Sequence, residues 1–171
     1  MQKTPLTAAR PFRVFHSDEG IVVAETANVC VVIWRGAVTR IPFEKQSSGL
    51  AMVVDRHPGN AGFLVVIEPT TKPPEDELRR ASTQMLQAHG DRLNCVACVI
   101  EGQGFRASVA RGVVSGMLLM TRHRHSPVSF PPNVRAGATW MSEYVRIPSV
   151  DALTSTVEEI RARILPSPDK R

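Results

Sequence analysis

Runs of β-branched and other apolar residues, broken by glycine, proline and short polar clusters, divide the chain into strand-length and helix-length pieces. Phe12 and Val14 alternate with Arg13 as a half-buried strand does, and Ser17-Asp18-Glu19-Gly20 supplies turn chemistry. A strand from Ile21 to Glu25 is followed by the short break Thr26-Ala27-Asn28 and by Val29–Trp34, a continuous run suited to a strand covered on both faces. These two strands are expected to form a hairpin. Between Thr39 and Asp55, Phe43, Ser47, Leu50 and Val54 recur at helical spacing, with Pro42 and Gly49 acting against a regular helix. After the turn His57-Pro58-Gly59-Asn60, Phe63–Ile67 reads as a second fully buried strand.

Pro73-Pro74 suits a helix start, and Glu75, Asp76 and Glu77 complement the positive end of its dipole. Leu78, Ala81, Met85, Leu86 and His89 share a stripe on it, and Gly90 stops it. A third buried strand, Cys95 to Ile100, leads through Glu101-Gly102-Gln103-Gly104 into a helix from Phe105 to about Arg122. Val109, Gly112, Val113, Gly116, Met117 and Met120 share a face of that helix, where the two glycines would permit close approach to the sheet. Pro127 precedes a short strand, Val128 to Phe130, and a helix from Asn133 to Tyr144 with Val134, Ala138 and Met141 on one side. Ser149 and Asp151 can cap a last helix whose Leu153, Val157, Ile160 and Ile164 form a narrow apolar seam.

Two strands followed by repeated helix and strand specify an α/β fold: a mixed β-sheet with a parallel portion, packed against helices, plus a C-terminal amphipathic helix. The organisation expected is a flexible leader over 1–10, one domain over 11–146, the C-terminal helix over 147–165 and a loose tail over 166–171. That helix should dock by its seam, either on its own domain or against the same helix of a second copy, as a homodimer contact.

At 171 residues the chain fits one core, and 43% apolar with 22% charged residues is ordinary globular usage. No stretch approaches the ~20 apolar residues of a transmembrane helix. Three cysteines, Cys30, Cys95 and Cys98, each in an apolar run, point to inert core thiols and a reducing cytoplasm. The formal charge of +5 favours acidic partners only mildly. The charge is unevenly placed, because no Asp or Glu occurs from Gly102 to Ser142, whereas Arg106, Arg111, Arg122, Arg124 and Arg135 all do. Arg106, Arg111, Arg122 and Arg124 are therefore the candidate anion- or partner-binding residues, for lipid head groups or an acidic protein. Aromatic residues are 5% of the chain, too few for the stacking platform of a single-strand nucleic-acid binder.

Other signals are weaker. Cys95-Val96-Ala97-Cys98 has redox or zinc spacing, but residues three apart in a strand point to opposite faces, so no metal site is expected. Gly102-Gln103-Gly104 joins strand to helix where an anion can bind, yet Ala107 stands where a dinucleotide fingerprint needs glycine. The five histidines are dispersed and assemble no nucleophile, base and orienting acid, so neither catalytic residues nor a cofactor are assigned.

The segments Ile67-Glu68-Pro69, Ile100-Glu101-Gly102-Gln103-Gly104-Phe105, Ser129-Phe130 and Ala138-Thr139-Trp140-Met141, in this element order, resemble the STAS superfamily, in its SpoIIAA-like, anti-sigma-factor-antagonist-like branch. The resemblance covers Phe12 to Tyr144. It implies a non-enzymatic regulatory or scaffold module working by protein–protein binding, with a Ser or Thr after the middle parallel strand as phospho-switch. Pro69-Thr70-Thr71-Lys72-Pro73 occupies that place here without the usual Asp and Gly, which makes Thr70 and Thr71 the candidate hydroxyls. Ser47-Ser48-Gly49-Leu50 imitates the switch motif but falls on the preceding helix. The alternative is a lipid or small hydrophobic ligand in a cavity beneath the helices, with Met85, Met117, Leu118, Leu119 and Met120 as adaptable wall residues.

Overall fold

Strands that are apolar at nearly every position need cover on both faces, and the architecture provides it. A computed structural model of the chain describes residues 12–104, 108, 111, 112, 116 and 126–164. Its sheet runs in the order β1 (Arg13–Ser17), β2 (Ile21–Thr26), β3 (Val29–Trp34), β4 (Ala61–Ile67), β5 (Leu93–Ile100), β6 (Val128–Ser129). The first three strands pair antiparallel and β3 to β6 pair parallel. The β2–β3 hairpin closes through a two-residue loop in which Ala27 takes a positive φ of 49°.

Alternation along the strands separates two cores. On one face, Val23, Cys30, Val32 and Phe63 pack under α1 (Arg40–Arg56) and α2 (Asp76–His89). On the other, Val22, Val31, Leu64, Cys95 and Ala97 pack under α3 (Val134–Met141) and α4 (Val150–Arg161). Helices α3 and α4 are each capped by a side chain, Asn133 Oδ1 accepting from Ala136 N–H at 2.8 Å and Ser149 Oγ from Ala152 N–H at 3.0 Å.

Three expectations change. Helix α2 begins at Asp76 rather than at the prolines, because a residue before proline is pushed into extended backbone and Lys72 is held in a parallel bridge with Ala37. Gly112 and Gly116 are exposed, and among the described residues nothing lies within 4 Å of where their Cβ would be. Both are open to solvent, so close approach to the sheet is not their role. The boundary expected at 147 divides segments that share one core, since Leu153, Val157, Ile160 and Ile164 are buried with Val22, Leu64 and Met141. Helix α4 supplies part of the cover that this face of β2 requires, so its seam is occupied within its own chain.

Gly49 was a mark against α1 on propensity alone, but packing requires it. A Cβ there would stand 2.5 Å from Val23 Cγ1 and 3.2 Å from Phe15 Cδ2. Gly49→Ala should therefore destabilise the protein by about 1–3 kcal/mol, although alanine is the better helix former. A denaturant titration giving an equal or higher midpoint would refute this.

Candidate functional site

The register of the parallel strands creates a charged cluster at their carboxyl ends. Trp34, Ile67 and Ile100 are neighbours across β3, β4 and β5, and the ladder continues one residue further, Glu68 N–H donating to Trp34 O at 2.9 Å and Glu101 N–H to Ile67 O at 2.9 Å. Arg35, Glu68 and Glu101 are thus adjacent. One step past Trp34, which packs under α1 and α2, they turn to the side where α4 ends. Arg161, in the last turn of α4, reaches into the group.

The contacts are dense. Arg35 grips Glu68 bidentately, Nε to Oε2 at 2.6 Å and Nη2 to Oε1 at 3.2 Å. Arg161 donates from Nη1 to Glu68 Oε1 at 2.6 Å, from Nη2 to Glu101 Oε1 at 2.7 Å and from Nε to Glu158 Oε2 at 3.1 Å. Burial alone would raise the Glu68 carboxyl, but the hydrogen bonds from Arg35 and Arg161 outweigh it and hold it below the ordinary carboxylate range. Burial likewise disfavours the Arg161 cation, and its bonds to Glu101 and Glu68 reverse that and raise its pKa. A carboxylate held ionised in this way cannot serve as a proton donor near neutral pH. The arrangement positions groups: it clamps α4 to the ends of β4 and β5.

Thr70 and Thr71 lie at this same edge. Thr70 Oγ1 donates to Arg35 O at 2.8 Å, and Thr71 Oγ1 to Trp34 O at 2.7 Å. Neither is at the helix start, since the N-cap of α2 is Glu75, so a phosphate there would meet the end of β3 and not the α2 dipole. Gly102 and Gly104 follow with φ of 96° and 101°, the left-handed geometry of a tight turn. A Cβ on Gly102 would also press on the Pro69 ring at 3.2 Å. Exposed Arg111 donates to Gly102 O at 3.2 Å, which brings one of the candidate arginines to the edge. Arg106, Arg122 and Arg124 lie outside the described residues.

Other candidate groups fall elsewhere. Ser47, Ser48 and Gly49 are inside α1. Cys95 and Cys98 are free and sit on opposite faces of β5, Cys95 in the core under α3 and α4, Cys98 lining a cavity under α1 and α2. Burial pushes both thiols up to about 12, where the nucleophilic thiolate is scarce. His89 is held toward its neutral form by burial and then by Arg92. Among the described residues, no group of three His, Cys, Asp or Glu is placed to hold a metal ion, and no helix is long and apolar enough to cross a membrane.

Reading the sequence by type of chemistry missed Arg35, Glu68, Glu101 and Arg161 as a group. A signal was there: two consecutive buried strands each end on the pair Ile-Glu, at Ile67-Glu68 and Ile100-Glu101, so parallel pairing sets the two carboxylates side by side. Fold and site together define a mixed-sheet α/β protein with an ion-paired carboxyl edge. Comparison of the chain with family models, characterised proteins and solved structures finds no match.

Proposed function

We propose that this chain is a non-enzymatic regulatory or scaffold module of STAS-like type, acting in the cytoplasm by binding another protein through the carboxyl edge of its parallel strands. The observation that carries this reading is the meeting there of Thr70, Thr71, Arg111 and the Arg35 to Arg161 cluster. In open α/β sheets, binding crevices form outside the carboxyl ends of the strands. An antiparallel hairpin leading into parallel strands and helices supports the STAS-like part. Phosphorylation of Thr70 would replace its donated hydrogen bond with about two negative charges beside the β3 terminus, altering this surface in shape and charge.

The test begins with native mass spectrometry of the protein purified from its own host, where a retained polypeptide is expected. Arg111→Glu, on an exposed side chain, should lower the retained fraction at least tenfold while the melting temperature holds. In phosphopeptide maps, modification belongs at Thr70 or Thr71, and modification confined to Ser47 or Ser48 would put the switch on α1 instead. A chain that always emerges alone, or with lipid only, contradicts the proposal.

A further inference from the structure

On the opposite side of the sheet from the ion pairs, a cavity of about 110 Å³ lies between the strands and helices α1 and α2. Its wall is almost wholly apolar, including Trp34, Phe43, Val65, Met85 and Cys98. Val65 and Ile67 of the central strand are only half-buried, so the space is accessible from outside.

Gln46 and Ser82 are the polar exceptions in the wall; the Ser82 hydroxyl is committed to Leu78 O at 2.8 Å, and Gln46 is 6% exposed. The orientation of its amide follows from its neighbours. The Trp34 indole N–H can only donate, and it stands 2.8 Å from Oε1, which fixes the oxygen on that side. Nε2 therefore turns toward Met85, whose sulfur is 3.9 Å away. A thioether is a weak acceptor, and this one also receives the Ser47 hydroxyl at 3.1 Å. Among the described residues no oxygen accepts from the Gln46 amide, so a strong buried donor is poorly satisfied at the wall of an apolar space. Such a donor costs free energy unless an acceptor arrives.

We propose that this cavity binds a small apolar molecule carrying one hydrogen-bond-accepting oxygen, and that the Gln46 Nε2 amide recognises that oxygen. A cavity of ~150 Å³ holds benzene, so the 110 Å³ here encloses about four to five non-hydrogen atoms, and a compact molecule of about six extends into the opening beside Val65 and Ile67. The site is independent of the carboxyl edge: it uses other side chains on the other face.

The probes are cyclopentanone and its isostere methylenecyclopentane, which replaces the oxygen by a CH₂ group. Each is titrated into the full chain while NMR follows the Met85 methyl and the Gln46 side-chain amide. Both probes should move the Met85 methyl, and only the ketone should move the Gln46 amide protons downfield. In Gln46→Met the ratio of ketone to alkene affinity should fall about three- to tenfold, the range of one neutral hydrogen bond. Should that variant fail to fold, the amide shift in the unaltered protein decides alone. The proposal is overturned if neither probe moves Met85, if both move the Gln46 amide equally, or if the affinity ratio is the same in Gln46→Met.

Discussion

Placing Asp at both Val157 and Ile160 is expected to abolish folding of the chain, not to release a helix from an intact domain. Both side chains are fully buried, packed in one cluster with Val22, Ala24, Leu64 and Ala97. Each carboxylate would enter that cluster without a partner, at a cost of several kcal/mol, or take up a proton and still lose its hydrogen bonds with water. Two such changes approach the whole stability of a typical domain, about 5–15 kcal/mol. The same burial bears on association. A second copy could use this seam only after α4 had left its own sheet, so the unaltered protein should not owe any dimer to it. Thermal melting with sedimentation checks both points. The expected result is loss of the cooperative transition, and a variant that halves in mass but melts normally would show the seam to be an intermolecular contact.

Arg161→Met should produce the second-largest effect, in a pH-dependent form. The methionine keeps most of the apolar stem and removes the guanidinium that joins Glu68, Glu101 and Glu158. Removing one partner of a buried ion pair costs about 3–5 kcal/mol, and Arg35 remains on Glu68 while Glu101 reaches water, so about 2–4 kcal/mol is expected. The Glu68 carboxyl is held below its ordinary value of 4.5 in the folded protein. Between its folded and unfolded values the unfolded chain binds more protons, so stability rises with pH. The contribution is complete above 4.5 and is lost as pH falls through the lower folded value. Melting temperature should therefore drop as pH is taken from about 5 to about 3. Glu68→Gln should flatten that dependence, and an unchanged slope in this variant would place the acid sensitivity elsewhere.

Much of the architecture was legible from local pattern. The apolar runs at Val29–Trp34, Phe63–Ile67 and Cys95–Ile100 lie within the three central strands, and the opposite facing of Cys95 and Cys98 follows from a period of two. Helix α1 formed despite Pro42 and Gly49, because proline is tolerated in a first turn and the glycine is what lets the helix meet Val23.

What the sequence by itself determined, then, is the strands and helices over the described residues and which side of the sheet-packed helices is apolar, since those depend on backbone period and on residues a few positions apart. Only the tertiary structure decided that α4 belongs to the core, that Arg161 meets Glu68 and Glu101 at 93 and 60 positions' separation, and that Gln46 has its oxygen committed to Trp34. Those relations depend on register between strands and on where a helix ends over the sheet. Many pairings of charged residues satisfy the same local pattern, and packing of the whole chain selects among them.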